Sequence, residues 1–297
     1  MLRVAIIGAG LMGRKLAAVA LRSGASVALC DANAEVLRAA GAALAEEGLS
    51  PALHANLGAA VADADFVTEA IVENLAAKQT LFQTLDELSP DAILATNTSV
   101  LPVGEIGART GKPQRVVGTH WWNPPDLIPV VEVVRAAATS DAVMDRTVEI
   151  LRGFGKIPVR VEKDVPGFVG NRLQHALWRE AIALIADGVC DAATVDLMVR
   201  NTLGLRLGMM GPIENADYVG LDLTLAIHEA VLPSLNRDAA PSPLLRRLAA
   251  EGALGAKTGS GFLDWPAGER ERAAERLAAH VSRQLNDPNR RDSALNA

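Results

Sequence analysis

The opening run RVAIIGAGLMG constrains this chain more than any other stretch, because a β-branched apolar segment breaks straight into three spaced glycines. A strand followed at once by G-x-G-x-x-G and then by a helical stretch is a strand–turn–helix unit. Gly8 permits the tight turn, Gly10 lets another molecule approach the backbone, and Gly13 lets the helix pack on the strand. The amides of Leu11, Met12 and Gly13 then lie at the positive end of the helix dipole, which suits a pyrophosphate. A second strand-like run, SVALC, ends at Asp31. At that distance, about twenty residues on, a carboxylate accepts hydrogen bonds from ribose hydroxyls and repels a 2′-phosphate. The expected cofactor is NAD rather than NADP; the alternative is a glycine-rich turn that holds no ligand.

Further strand-like runs follow at 65–71, 92–96, 115–120, 129–134 and 156–161, with helix-like stretches such as 75–88 and 140–152 between them. Strand, helix, strand in repeated order predicts an α/β architecture of Rossmann type, a doubly wound and mostly parallel sheet covered on both faces. Beyond EKDVPGF (162–168) the strand signal ends. Leu173, Leu177, Ala181 and Leu184 recur at helical spacing, and helical segments continue to about residue 286. Two domains are therefore expected, residues 1–164 for the dinucleotide and an all-helical 165–297. The tail at 286–297 reads as polar and frayed.

A length of 297 residues suits one large or two medium domains. The formal charge of −6 leaves no basic footprint for nucleic acid. Cys30 and Cys190 lie far apart in no metal-binding spacing, so no metal is expected and the thiols read as reduced, as in the cytoplasm. The first apolar run breaks at glycines too early for a membrane span and lacks a signal peptide's cleavage pattern. A soluble, cytoplasmic protein acting on a small molecule is the expectation.

Crevices beyond the carboxyl ends of parallel strands are where such sheets hold ligands. Asn97, Thr98 and Ser99 follow one strand-like run, and His120 ends the next within GTHWWNPP. Glu132 sits among valines in PVVEVV, where a carboxylate is costly to bury unless paired. An arginine would satisfy it. An imidazole would too, and that pairing would orient the ring and raise its basicity. Trp121 and Trp122 either wall a pocket around His120 or belong in part to the core.

The motifs GAGLMG, VENLAAK, TNTS, GTHWWNPP followed by VVE, PGFVGNR, GPIENADYVGLD and KTGSGF run in this order to about Trp265. Together they resemble the NAD-dependent 3-hydroxyacyl-CoA dehydrogenase family. The resemblance implies a Rossmann domain, then a helical domain that forms a homodimer. It implies His120 as general base or acid with Glu132 as its partner, and Ser99 and Asn171 on the substrate oxygens. Glu73 and Lys78 match positions near the nicotinamide, with Asn97 also assigned to the cofactor side and Asn123 to the substrate side.

Three departures concern the substrate. Only residues 32–64 separate the second strand from the third, room for about one helix and with no lysine, where acyl-CoA members carry a longer lysine-rich hairpin. Trp121 and Trp122 replace the family's paired phenylalanines. Arg206 stands in GLRLGMMGP, as in branches acting on small free acids such as L-gulonate, carnitine or pyridine carboxylates. A guanidinium grips a carboxylate with a two-pronged fork, although Arg206 reads equally as a solvated or domain-bridging side chain. The leading expectation is an NAD-dependent dehydrogenase of a small hydroxy acid. The alternatives are a short-chain 3-hydroxyacyl-CoA dehydrogenase and a catalytically silent dinucleotide-binding protein, the latter disfavoured by Ser99, His120, Glu132 and Asn171.

Overall fold

The computed structural model describes residues 1–287, so from position 288 onward the tail read at 286–297 lies outside the described residues. The β-branched runs become β1 (Arg3–Ile7), β2 (Ser26–Cys30), β3 (Ala52–His54), β4 (Phe66–Glu69), β5 (Ile93–Thr96), β6 (Val116–Trp121), β7 (Val130–Val134) and β8 (Ile157–Val161). They form one sheet of order β3-β2-β1-β4-β5-β6-β7-β8. Its pairs are parallel except β6 with β7, which run antiparallel. The chain leaves β1 toward β2 on one side and returns to β4 on the other. That reversal opens the crevice in which such sheets hold dinucleotides.

Alternation along each strand feeds two cores. Val4, Ile6, Phe66, Val117, Trp121, Val131 and Val133 pack on one face, under α1 (Leu11–Arg22), α2 (Ala34–Glu46) and α6 (Asp141–Gly153). Ala5, Ile7, Val67, Leu94, Val116 and Val134 pack on the other, with α3 (Leu57–Val61), α4 (Leu75–Leu88) and α5 (Val103–Ile106). Burial on both faces explains why these strands read as continuous apolar runs. β3 escaped the sequence reading because it is three residues long, at the sheet edge, with no apolar run to mark it.

Helix starts follow capping chemistry. Asn33, Asn56, Asn74 and Ser140 each accept a backbone N–H of the first turn of α2, α3, α4 and α6. Helix α1 differs, because its N-cap is Gly10 and no side chain caps it.

The chain divides into two units after Arg172. Helix α7 (Gly170–Ala186) begins at the end of the first unit. The second unit contains the rest of α7 with α8 (Ala192–Asn201), α9 (Leu203–Leu207), α10 (Pro212–Val219), α11 (Leu221–Val231), α12 (Pro243–Ala250) and α13 (Glu269–Leu285). Both buried cores lie in the first unit, and among the described residues from Leu173 onward none is buried. No described helix is long and apolar enough to cross a membrane.

Candidate active site

The glycine turn after β1 is shaped by close approach. Gly8 has φ +101°, and a Cβ there would stand 2.7 Å from the Ala70 carbonyl oxygen. A Cβ on Gly13 would stand 1.7 Å from the Gly8 oxygen, so only glycine lets α1 close onto the turn. At Gly10 a Cβ would meet nothing within 4 Å, which leaves that backbone open to an incoming ligand. Asp31 braces the turn: its Oδ2 accepts the Ala9 N–H at 2.8 Å and its Oδ1 the Asn33 N–H at 2.8 Å. Uncapped α1 amides, an open glycine and a carboxylate at the end of β2 fit a dinucleotide.

The antiparallel register sets His120 of β6 directly opposite Glu132 of β7. Residues so paired carry side chains on the same face of the sheet. Here His120 Nδ1 lies 2.7 Å from Glu132 Oε2, and both side chains are 4 % exposed. Of the two partners open to Glu132 on sequence grounds, the imidazole is the one present. The other carboxylate oxygen, Oε1, accepts the backbone N–H groups of Val169 (2.9 Å) and Gly170 (3.1 Å). Burial pushes the Glu132 carboxyl up, but the bonds from His120, Gly170 and Val169 outweigh it and hold the group below the ordinary glutamate range. An ionised Glu132 requires the proton of that pair to sit on His120 Nδ1. Nε2 then has no hydrogen-bond partner among the described residues. A histidine held this way exchanges a proton through Nε2.

Hydrogen bonds link this pair to the other expected residues. Asn171 follows Gly170 directly and donates from Nδ2 to the Ser99 carbonyl oxygen at 2.9 Å. Ser99 N–H donates to Glu73 Oε1 at 2.9 Å, and the Thr98 hydroxyl donates to the same oxygen. Lys78 Nζ lies 3.2 Å from Glu73 Oε2. Burial raises the Glu73 carboxyl, and the bonds from Thr98, Lys78 and Ser99 bring it below the usual range. Asn97 Oδ1 accepts the Trp121 N–H at 3.0 Å and so ties the end of β5 to β6.

The two tryptophans part company. Trp122 stands beside the catalytic candidate, its ring centroid 5.1 Å from that of His120. Trp121, the next residue along the strand, points the other way into the α1-side core, with Lys156 Nζ 5.6 Å from its ring centroid. Asn123 is exposed just beyond β6. Leu11 is exposed and Met12 half-buried at the start of α1. Arg206 lies on α9 in the second unit, exposed, and its guanidinium has no partner among the described residues.

Several residues here went unnoticed in the sequence. Glu69, fully buried at the end of β4, pairs with Lys78 Nζ at 2.5 Å and accepts the Thr96 hydroxyl at 2.8 Å. Its signal was the one that exposed Glu132, a carboxylate in a buried strand. Phe168 and Gly170 stand within PGFVGNR, where the resemblance implies a role for Asn171 alone. Lys15 on α1 bridges to Asp126 at 2.8 Å, and Lys156 donates to the carbonyls of Pro125 (2.6 Å) and Ile128 (3.1 Å). Both lysines therefore anchor the loop that follows Trp122.

Residues 3–165 match the family model described as 3-hydroxyacyl-CoA dehydrogenase, NAD binding domain, and residues 167–265 match its C-terminal domain. The chain belongs to the 3-hydroxyacyl-CoA dehydrogenase family. It is 38% identical over 282 residues to a probable 3-hydroxybutyryl-CoA dehydrogenase of Deinococcus radiodurans, across 88% of this chain and 99% of that protein. It is 34% identical to the 5-formyl-3-hydroxy-2-methylpyridine 4-carboxylate 5-dehydrogenase of Mesorhizobium japonicum, across 87% of this chain and 89% of that one. A solved 5-formyl-3-hydroxy-2-methylpyridine 4-carboxylic acid 5-dehydrogenase, an NAD+ dependent dismutase, superposes with a TM-score of 0.89 at 30% identity. That match covers 96% of this chain and 98% of that one.

As a member of this family the protein is an NAD-dependent dehydrogenase acting on a CH–OH group. NAD, when bound, supplies the hydride acceptor or donor. What the chain supplies is the glycine cradle, the ordered loop around Ser99, and a buried imidazole–carboxylate pair suited to moving a proton.

Proposed function

We propose that this dehydrogenase interconverts the secondary hydroxyl of a small free acid and the corresponding ketone. His120 takes the hydroxyl proton at Nε2 during oxidation and returns it during reduction, while Glu132 stabilises the imidazolium. Ser99 and Asn171 hold the substrate oxygen where charge develops. The observation that carries the choice of substrate is the stretch between β2 and β4. It holds one helix of ordinary length, α2, then the short β3 and α3. It contains no lysine, and its one arginine, Arg38, is exposed on α2. A CoA ester would find few cations there for charge-assisted contacts to its phosphates. Likeness to a pyridine-carboxylate dehydrogenase supports the same reading. Arg206, a guanidinium without a partner, is the residue proposed to recognise the carboxylate.

The second reading, a short-chain 3-hydroxyacyl-CoA dehydrogenase, is favoured by the 38% identity to the Deinococcus protein. Steady-state assays with NAD on free hydroxy acids, hydroxymethyl- and formyl-pyridine carboxylates, and 3-hydroxybutyryl-CoA separate the two. A free acid is expected to give the higher kcat/KM. Arg206→Met should cost that acid about 1.5–3 kcal/mol, the scale of a hydrogen bond to a charged group. High kcat/KM for the CoA ester alone, with Arg206→Met unchanged, overturns the proposal.

We also infer a homodimer formed through the second unit. Its helices expose Trp178, Leu205, Ile213, Tyr218, Leu221 and Leu225, far more apolar surface than a lone helical unit normally leaves in water. An open groove of about 1420 Å³, lined by Trp178, Ile182, Leu244, Leu245 and Phe262, runs along α7 and α12. A second copy would bury such surfaces.

A further inference from the structure

One hydrogen bond fixes an atom of an imidazole but leaves the ring free to tilt about it. In His120 that bond is Nδ1 to Glu132. Two aromatic rings take up the remaining freedom. Trp122 lies 5.1 Å from the imidazole centroid at an interplanar angle of 56°, and Phe168 lies 5.6 Å away at 54°. Phe168 is 1 % exposed and adopts φ +51°, a left-handed conformation uncommon for a residue with a Cβ. The residues that follow it are the two whose amides bind Glu132. The same turn therefore delivers a ring to His120 and two donors to its carboxylate.

The glycines on either side of this turn serve different ends. Gly167 has φ +76°, which a glycine allows without strain. Gly170 shows no such φ, so its backbone would accept an alanine. Space is what forbids one: a Cβ on Gly170 would stand 2.2 Å from Trp122 Cζ2, 3.0 Å from Cη2 and 3.2 Å from Cε2. The benzene edge of the indole is seated directly on the α-carbon of Gly170.

We propose that Trp122 and Phe168 are positioning residues that hold the plane of His120, and that Gly170 is the seat that lets the Trp122 indole do so. This rests on the reading of His120 as the base. Trp122 then acts through the imidazole rather than by stacking on substrate. The imidazolium formed in turnover also lies within the ~6 Å at which a ring attracts a cation.

The test uses Trp122→Leu, Trp122→Phe, Gly170→Ala and the double variant Trp122→Leu/Gly170→Ala in the full-length enzyme, with NAD and whichever substrate the panel above identifies. NAD binding by fluorescence titration reports that each variant is folded. Trp122→Leu and Gly170→Ala should each lower kcat on the order of 10²-fold, the scale of a misplaced catalytic group. KM for the hydroxy substrate should hold, and the solvent deuterium isotope effect on kcat should rise as proton transfer becomes limiting. The double variant should be no slower than Trp122→Leu alone, because the three atoms nearest the added methyl all belong to the indole. Trp122→Phe should recover most of the rate. Raised KM with unchanged kcat in Trp122→Leu would make the indole a pocket wall and overturn the proposal. So would full activity in Gly170→Ala, or additive losses in the double variant. Failure of the underlying reading is distinct: it would appear as turnover by His120→Gln.

Discussion

At the scale of single residues, Glu132 carries the sharpest consequences. It is buried, and its carboxyl lies below the ordinary range because the bonds from His120, Gly170 and Val169 outweigh the burial that pushes it up. A carboxylate whose folded value is depressed adds stability that is present above its unfolded value, about 4.3, and is lost as pH falls through the lower folded value. Urea unfolding of wild type and Glu132→Gln should therefore differ by about 1–3 kcal/mol near neutrality, the scale of losing the acceptor on one side of a buried carboxylate. That gap should close as the pH drops below about 4. A gap that persists undiminished at pH 3 would mean that the charge contributes nothing. The same variant should lose roughly 10²–10⁴-fold in kcat, the usual contribution of general acid–base catalysis. His120→Gln should abolish turnover yet bind NAD nearly as wild type, because the glycine cradle lies on β1 and α1 rather than on β6.

At the scale of elements, the junction of β1 and α1 separates packing from binding. Gly13→Ala places a Cβ against the Gly8 oxygen, a backbone atom that cannot swing aside, and should cost about 1–3 kcal/mol of stability. Gly10→Ala meets nothing in the protein, so its Tm should stay near wild type while NAD affinity falls. Equal loss of Tm in both, measured by thermal melts with and without NAD, would refute this division. Asp31 belongs to the same element boundary, at the end of β2. NAD should outperform NADP in kcat/KM, and Asp31→Ala should narrow the difference. Because Asp31 also braces Ala9 and Asn33, that variant should weaken NAD binding as well.

At the scale of the whole molecule, the two units solve burial differently. The first encloses its sheet between two cores, whereas the described part of the second buries no residue in the single chain. Sedimentation equilibrium should find twice the 31.2 kDa of one chain. If folding of the second unit is coupled to assembly, Tm should rise with protein concentration. A monomer at micromolar concentration with a concentration-independent Tm would sink the dimer.

How much was legible in the sequence follows from how local each determinant is. Strand and helix positions, the glycine turn, Asp31 and the change to helices beyond PGF rest on periodicity and backbone sterics within short windows. All but the short edge strand β3 appear in the sequence before any contact is known. His120 and Glu132 could each be suspected, one from its setting and one from its burial cost, yet for an isolated glutamate an arginine is the better bet as partner. Only the antiparallel turn between β6 and β7 chose the imidazole, because register across a sheet is a long-range property that side-chain alternation along one strand does not carry. The parting of Trp121 from Trp122 is the local counterpart: the pleat turns Trp121 away from His120, and Trp122 lies just past the end of β6. The seat on Gly170, the left-handed Phe168 and the Glu69–Lys78 pair were decided by tertiary structure alone. The seat and the ring contact of Phe168 with His120 each join segments some 48 residues apart, whereas Glu69 and Lys78 are nine residues apart and meet only because β4 and α4 pack together.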